Sequence, residues 1–194
     1  MEAIVIRTES IGGLTNEQLF HFCQENSELV IERNADGEII IMTPTGGFTG
    51  KRSGDIFTDL NMWNRIHQLG IAFDSSTGFV LPNGAMRSPD ACWISQERWQ
   101  ALTWEEKKHF PPLCPDFVVE LRSSSDNLKI LQKKMQEWQE NGCQLAWLID
   151  AEEEKVYLYR PQCEVEVVIG FDAVLLGERV LPGFSFSLAI LRSN

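Results

Sequence analysis

Apolar residues recur at the three-to-four-residue spacing of amphipathic helices in three parts of the chain. These parts are residues 15–26, which open on a capping-box pattern, a long segment that stops near Gly70, and residues 126–141. The last part has the clearest pattern, because its apolar residues form one narrow stripe: Leu128, Leu131, Met135 and Trp138. We therefore predict a helix in each part.

Short apolar runs of strand length occupy much of the remaining chain. The segments 29–33 and 38–42 flank the turn sequence Asn34–Gly37, a pattern typical of a β-hairpin. Further strands are predicted at 87–94, 117–122, 144–150, 155–160 and 163–169. The segment 163–169 alternates apolar residues with glutamates, which is typical of a sheet with one face in water. The sequence thus predicts a single mixed α/β domain over residues 1–194, with a central mixed sheet of about six strands covered by helices.

Composition narrows the classes of protein that the chain can belong to. Hydrophobic residues make up 43% of the 194 residues, which excludes a disordered or fibrous chain, and no apolar run is long enough to span a bilayer. The five cysteines are scattered and the start lacks the pattern of a secretory signal, so we expect reduced thiols in a cytoplasmic protein. The three histidines lack the spacing of a zinc site.

The net charge of −11 disfavours broad electrostatic attraction to nucleic acid. A local basic cleft, or metal ions that offset charge at a site, would remain compatible with this composition.

Glu120 is the first candidate for a catalytic or metal-binding residue, because it lies inside the apolar strand 117–122. A buried carboxylate is costly unless it is paired or bound to a metal. Two aspartates compete as its partner in a metal site. Asp116 is only four residues away, but four residues of extended strand span about 13 Å, which is too far for one shared ion. We therefore expect Asp116 at the surface, at the entrance of the strand. Asp90 is therefore preferred, because a neighbouring strand could place it beside Glu120; a turn or strand-end role is the alternative.

Two cations could complete such a site. Arg122 shares the strand face of Glu120, either as an electrostatic clamp or as a simple ion-pair partner of Glu120 or Asp90. Lys134 lies at the edge of the apolar stripe of the last helix, from which it could reach Glu120. Its alternative role is that of a lysine at the border of the core, with its ammonium in water.

A glycine-rich stretch, TPTGGFTGKRSG, resembles a phosphate-binding loop only superficially. Thr45 stands where a Walker A motif has its first glycine, and Arg52 stands where it has serine or threonine. We do not expect an NTPase. Lys51, Arg52 and the loop amides could instead hold a phosphate of a nucleic-acid backbone, or form a solvated loop.

Several spaced motifs give the chain a family resemblance. They are SPDACWIS, PPLCPDFVVELRSSSD, KMQEWQENG, LAWLID and LPGF. With this set the chain resembles the Uma-type restriction endonuclease family of the PD-(D/E)XK nuclease superfamily. The resemblance implies a restriction-endonuclease-like fold and a Mg²⁺-dependent phosphodiesterase site, with Mn²⁺ as an alternative ion.

The resemblance also implies roles for particular residues. Asp90 matches the aspartate of the motif, Glu120 matches its second acid, and Lys134 matches a helix lysine that replaces the usual one. Arg122 stands where the superfamily has that usual lysine. An upstream acid often completes such metal sites, and Glu38 is our first choice for it, with Glu32 as the second.

The expected partners are nucleic acid, most simply DNA, and a second copy of the chain, since a homodimer suits a nuclease that cuts two strands. The competing interpretation is a binding or scaffold protein that keeps the nuclease fold without activity. Arg122 and the acidic composition favour that alternative.

Overall fold

The computed structural model describes residues 4–192. Its helices are α1 (Asn16–Glu25), α2 (Gly47–His67), α3 (Gln96–Ala101), α4 (Trp104–Lys108) and α5 (Leu128–Glu140), with short 3₁₀ helices at Glu9–Ile11 and Leu188–Leu191. The three helices expected from apolar periodicity correspond to α1, α2 and α5. Within residues 4–192, no helix combines the length and apolar character needed to cross a membrane.

Thirteen strands lie among the described residues. They are β1 (Ile4–Ile6), β2 (Val30–Arg33), β3 (Ile39–Met42), β4 (Gly70–Asp74), β5 (Phe79–Val80), β6 (Met86–Arg87), β7 (Ala91–Ser95), β8 (Phe117–Arg122), β9 (Leu145–Asp150), β10 (Lys155–Tyr159), β11 (Glu166–Ile169), β12 (Val174–Leu176) and β13 (Ser185–Ser187). The predicted hairpin is formed by β2 and β3, which pair in antiparallel fashion around the Asn34–Gly37 turn.

The central sheet has six strands in the order β11-β10-β9-β8-β7-β4. Its two middle strands, β8 and β9, are parallel, and the other neighbours are antiparallel, so the sheet is mixed as predicted. A parallel pair needs a crossover connection, and α5 provides it between β8 and β9. The architecture is thus a mixed α/β fold with a helix-covered central sheet.

Alternation along β8 divides the core into two layers. Phe117, Val119 and Leu121 belong to the layer that α2 covers. Val118 belongs to the opposite layer, with Met135 and Trp138 of α5. Since residues two apart share a face, Glu120 points toward α5.

A second sheet, which the sequence did not reveal, packs beside the first. It has five strands in the order β1-β3-β2-β6-β5, all antiparallel. Leu19 of α1 packs with Ile31 and Ile39 in its core. This sheet matters for the site because β2 carries Glu32 and β6 carries Arg87.

Two sequence-based expectations need correction. Asp116, expected at the surface, is buried; it accepts hydrogen bonds from the Ser95 amide (2.8 Å) and from Arg98 (2.7 Å). The apolar face expected for 163–169 is exposed, with Ile169 77% accessible, while Val168 packs inward. These apolar side chains are exposed because β11 is the edge strand of the sheet, whereas α5 packs on β8 and β9.

We predict opposite effects of alanine at two glycines. A Cβ on Gly70 would overlap the carbonyl oxygen of Ile94 and lie 2.5 Å from the ring of Trp93. Gly70→Ala should therefore lower the free energy of unfolding by about 3 kcal/mol. Gly54, exposed inside α2 with open space around it, is the control. Gly54→Ala should raise the same free energy by roughly 1 kcal/mol. Urea denaturation measures both, and equal stability of the two variants would contradict the prediction.

Candidate active site

Asp90 and Glu120 come together at the junction of β7 and β8. The two strands pair Ala91 with Val119, so the antiparallel register continues to Asp90 opposite Glu120. The Oδ2 atom of Asp90 accepts a hydrogen bond from the amide of Leu121 at 2.7 Å, which fixes the aspartate against β8. Glu120 is buried, with 4% of its surface accessible.

Lys134 reaches Glu120 from α5. Its Nζ lies 2.9 Å from Oε1 of Glu120 and 2.9 Å from Oε1 of Glu32. The indole Nε1 of Trp138 donates to the same Oε1 of Glu120 at 2.9 Å. The ammonium of Lys134 therefore bridges two carboxylates that come from different sheets.

Glu32 is the more heavily bonded of these two carboxylates. Its Oε1 also accepts from the amide of Ser88 at 3.0 Å, and its Oε2 accepts from Arg87 at 2.9 Å. Arg87 in turn donates to Glu137 of α5 at 2.6 Å. Glu32 thus has a partner on each of its two oxygens, and Arg87 ties the small sheet to the helix that carries Lys134.

The surroundings drive the pKa values of the two glutamates in opposite directions. Burial raises the pKa of Glu120 to about 7, and the charges of Asp90 and Glu32 add to this rise while Lys134 opposes it. Burial also acts to raise the pKa of Glu32, but the charges of Lys134 and Arg87 outweigh it, so this pKa is lowered. Glu32 pairs with two cations, Lys134 and Arg87, whereas Glu120 pairs with Lys134, which it shares with Glu32.

Lys134 is held in its charged form. Burial lowers the pKa of Lys134, but the charges of Glu120 and Glu32 outweigh burial and set it above its ordinary value. These two carboxylates therefore oppose the loss of the proton that a catalytic base would have to release. Burial raises the pKa of Asp90, and the Leu121 hydrogen bond and Lys134 partly offset the rise.

One oxygen on each central carboxylate remains outside these contacts. Within residues 4–192, neither Oδ1 of Asp90 nor Oε2 of Glu120 takes part in a hydrogen bond or ion pair. These two atoms are the oxygens through which the residues could hold a cation. Among the described side chains, no group of three or more His, Cys, Asp or Glu has the arrangement of a metal site.

Arg122 takes a different partner from those expected. Its Nη1 lies 2.5 Å from Oδ2 of the buried Asp150, which sits opposite Arg122 in the parallel register of β8 and β9. Its Nε donates to the carbonyl of Asp126 at 3.3 Å. Arg122 therefore shares the strand face of Glu120 without pairing with Glu120 or Asp90.

Glu38, our first choice for the upstream acid, lies outside the cluster. It accepts from the Asn34 side chain at 2.9 Å and pairs with Arg7 at 3.1 Å. Glu32, the second choice, occupies the cluster instead. The physical reason is the register of the hairpin, which places Glu32 inside β2 opposite Ile40, whereas Glu38 precedes β3 beside the turn.

The two residues expected to hold a nucleic-acid phosphate are engaged within the protein. Lys51 pairs with Asp55 one helical turn away at 2.8 Å. Arg52 is buried, donates to the carbonyl of Leu191 at 2.8 Å and lies 3.6 Å from Glu152. Both belong to α2, which begins at Gly47, so the glycine-rich stretch is largely helix rather than an open loop.

The fold is a mixed α/β sheet covered by helices, and two acids from adjacent strands lie beside a buried lysine. A family model described as "Putative restriction endonuclease", Uma2, matches residues 16–190. The chain therefore belongs to the Uma2 family. No curated protein matches the sequence.

A solved structure has a similar fold. It is a crystal structure from Anabaena variabilis, described as a putative nuclease belonging to DUF820. The likeness has a TM-score of 0.70 and covers 83% of this chain and 88% of that chain, at 22% sequence identity.

We predict that neutralising the two glutamates has opposite effects on stability in EDTA. Glu120 has a raised pKa, so its ionisation costs stability as pH rises from its unfolded value through about 7. At pH 8, Glu120→Gln should raise the free energy of unfolding by on the order of 1–3 kcal/mol, and most of this gain should be lost at pH 5.

Glu32→Gln is the matched variant on the same lysine. The pKa of Glu32 is lowered in the folded protein, so its ionised carboxylate stabilises the fold above the unfolded pKa. This stabilisation is lost as pH falls through the lowered pKa. At pH 8 this variant should lose about 3 kcal/mol, because the buried cations of Lys134 and Arg87 each lose one of their two carboxylate partners. Urea denaturation from pH 5 to pH 8 measures both effects, and a destabilised Glu120→Gln at pH 8 would instead indicate a structural ion pair with Lys134.

Proposed function

We propose that this member of a nuclease family is a metal-dependent endonuclease that hydrolyses phosphodiester bonds of DNA. Asp90 and Glu120 would hold Mg²⁺, or Mn²⁺ in its place, and Lys134 would act beside them. The observation that carries the proposal is the convergence of two carboxylates from adjacent strands with one buried ammonium from α5.

The donor set suits a hard divalent cation. Mg²⁺ prefers oxygen ligands and commonly binds through one or two carboxylates, keeping water and substrate phosphate in its other positions. Asp90 and Glu120 each offer one carboxylate oxygen outside the internal contacts. Burial, together with the charges of Asp90 and Glu32, raises the pKa of Glu120, and a divalent cation bound beside it would favour its ionised form.

The residues of the chain would divide the chemistry between them. A bound divalent ion supplies Lewis acidity and lowers the pKa of a coordinated water. Lys134, held in its charged form, stabilises negative charge that develops on the phosphate during hydrolysis and does not act as the general base. Glu32 holds the ammonium of Lys134 through a second ion pair at 2.9 Å. Arg122, paired with Asp150, supports the end of β8.

DNA is the substrate that we propose, with a homodimer presenting one site to each strand of a duplex. Lys51 and Arg52 have no phosphate-binding role in this proposal, because both make contacts within the protein. Glu38 likewise has no role in the proposed site, and we assign the upstream acid to Glu32 as a holder of Lys134.

We predict a sharp difference between two adjacent lysines of α5. Lys134→Ala should lower the rate of Mg²⁺- or Mn²⁺-dependent DNA cleavage by roughly 10²–10³-fold, because the charge next to Glu120 is lost. Lys133 is exposed and is the control; Lys133→Ala should cleave at the wild-type rate. Cleavage of labelled DNA by the purified proteins measures both, and comparable losses in the two variants would remove Lys134 from the site.

Alanine at Asp90 or Glu120 should abolish both cleavage and metal binding, the latter measured by calorimetry. Equal activity of the wild type and both variants would point to a contaminating nuclease or to another site. A wild type that neither cleaves varied nucleic acids nor binds metal would favour the scaffold alternative.

A further inference from the structure

A buried indole next to the carboxylates offers a further role, which rests on the proposed function. We propose that Trp138 is a positioning residue: its indole N–H fixes the rotation of the Glu120 carboxylate, so that Oε2 is the oxygen presented to the metal ion. The geometry behind this is the 2.9 Å hydrogen bond from Nε1 of Trp138 to Oε1 of Glu120.

The spacing along α5 directs two donors to one oxygen. Trp138 follows Lys134 by four residues, so both side chains leave the same face of the helix, one turn apart. Both reach Oε1 of Glu120, each at 2.9 Å. A carboxylate with two donors on one oxygen has its plane fixed, and its second oxygen remains for another ligand.

The indole is itself held firmly. Trp138 is fully buried in the layer between α5 and the central sheet. Its carbonyl accepts from the amide of Cys143 at 3.0 Å and from the thiol of Cys114 at 3.6 Å. The donor is thus placed by packing and main-chain contacts, which is how residues behind a metal ligand set its orientation.

The neutral character of the donor matters as much as its position. Lys134 already shares its single charge between Glu120 and Glu32. A second cation at position 138 would neutralise Glu120 and compete with a metal ion for it. An indole N–H orients the carboxylate without cancelling its negative charge, so the charge remains available to the metal.

The first test needs no metal. The sequence has six tryptophans, and Trp138→Phe identifies the Trp138 indole N–H resonance in a spectrum of ¹⁵N-labelled protein. Glu120→Ala at pH 8 removes the charged acceptor and should move this resonance upfield. The Trp147 resonance should not move, because Trp147 lies in the other core layer. An unmoved Trp138 resonance would overturn the proposed contact.

The second test measures Mn²⁺ affinity by calorimetry. Trp138→Phe should bind Mn²⁺ about 10-fold more weakly than the wild type, in line with losses caused by removing a group behind a metal ligand. Trp138→Tyr, which keeps an O–H donor, should return to within about 3-fold of the wild type. Trp147→Phe makes the same change to a buried indole in the other layer and should bind normally.

The outcomes separate this role from the proposed function. Wild-type affinity in Trp138→Phe overturns the positioning role and leaves the metal site standing. Equal weakening in the Phe and Tyr variants also overturns it, because ring size rather than the donor would then be responsible. A wild type that binds no Mn²⁺ overturns the proposed function and, with it, the positioning role, even where the resonance of Trp138 responds to Glu120.

Discussion

The ion pair of Lys134 with two glutamates is the interaction on which the rest of the site depends. It joins three elements, since the ammonium comes from α5, Glu120 from the central sheet and Glu32 from the small sheet. All three side chains are largely buried, so each charge relies on the others in place of water. Removing Lys134 leaves uncompensated charge inside the protein, which typically costs 3–5 kcal/mol. Neutralising Glu120 has the opposite effect, because it relieves the cost of burying its charge beside Asp90 and Glu32.

The same lysine serves two glutamates with different properties, and Arg87 makes the difference. Arg87 gives Glu32 a second cation, which keeps Glu32 ionised and leaves it as a fixed counter-charge. Glu120 is buried, has only its share of Lys134 and lies beside Asp90, so burial first and then the charges of Asp90 and Glu32 raise its pKa. This difference is what makes Glu120, rather than Glu32, the carboxylate suited to an added cation.

Sequence periodicity could predict how β8 presents its residues, because strand parity depends on local sequence alone. It also placed Lys134 at the border of the α5 stripe, from which it does reach Glu120. The choice between Glu32 and Glu38 could not be made in this way, since it depends on how a second sheet packs on α5. That sheet was not predicted, because β5 and β6 are two residues long. The partner of Arg122 depends on the register with β9, a contact between residues 28 positions apart.

The C-terminal end of α5 is attached to a surface turn, and this attachment limits which residues of the turn can be replaced. The turn at Asn83 donates to Asn141 at 2.9 Å and to Glu137 at 3.0 Å, so it anchors the far end of the helix. Lys134 and Trp138 both belong to this helix, so a tilt of the helix would displace both side chains together. We therefore expect this solvent-facing turn to accept fewer amino-acid changes than other turns. Its role is indirect, because Asn83 contacts the helix and not the carboxylates of the candidate site.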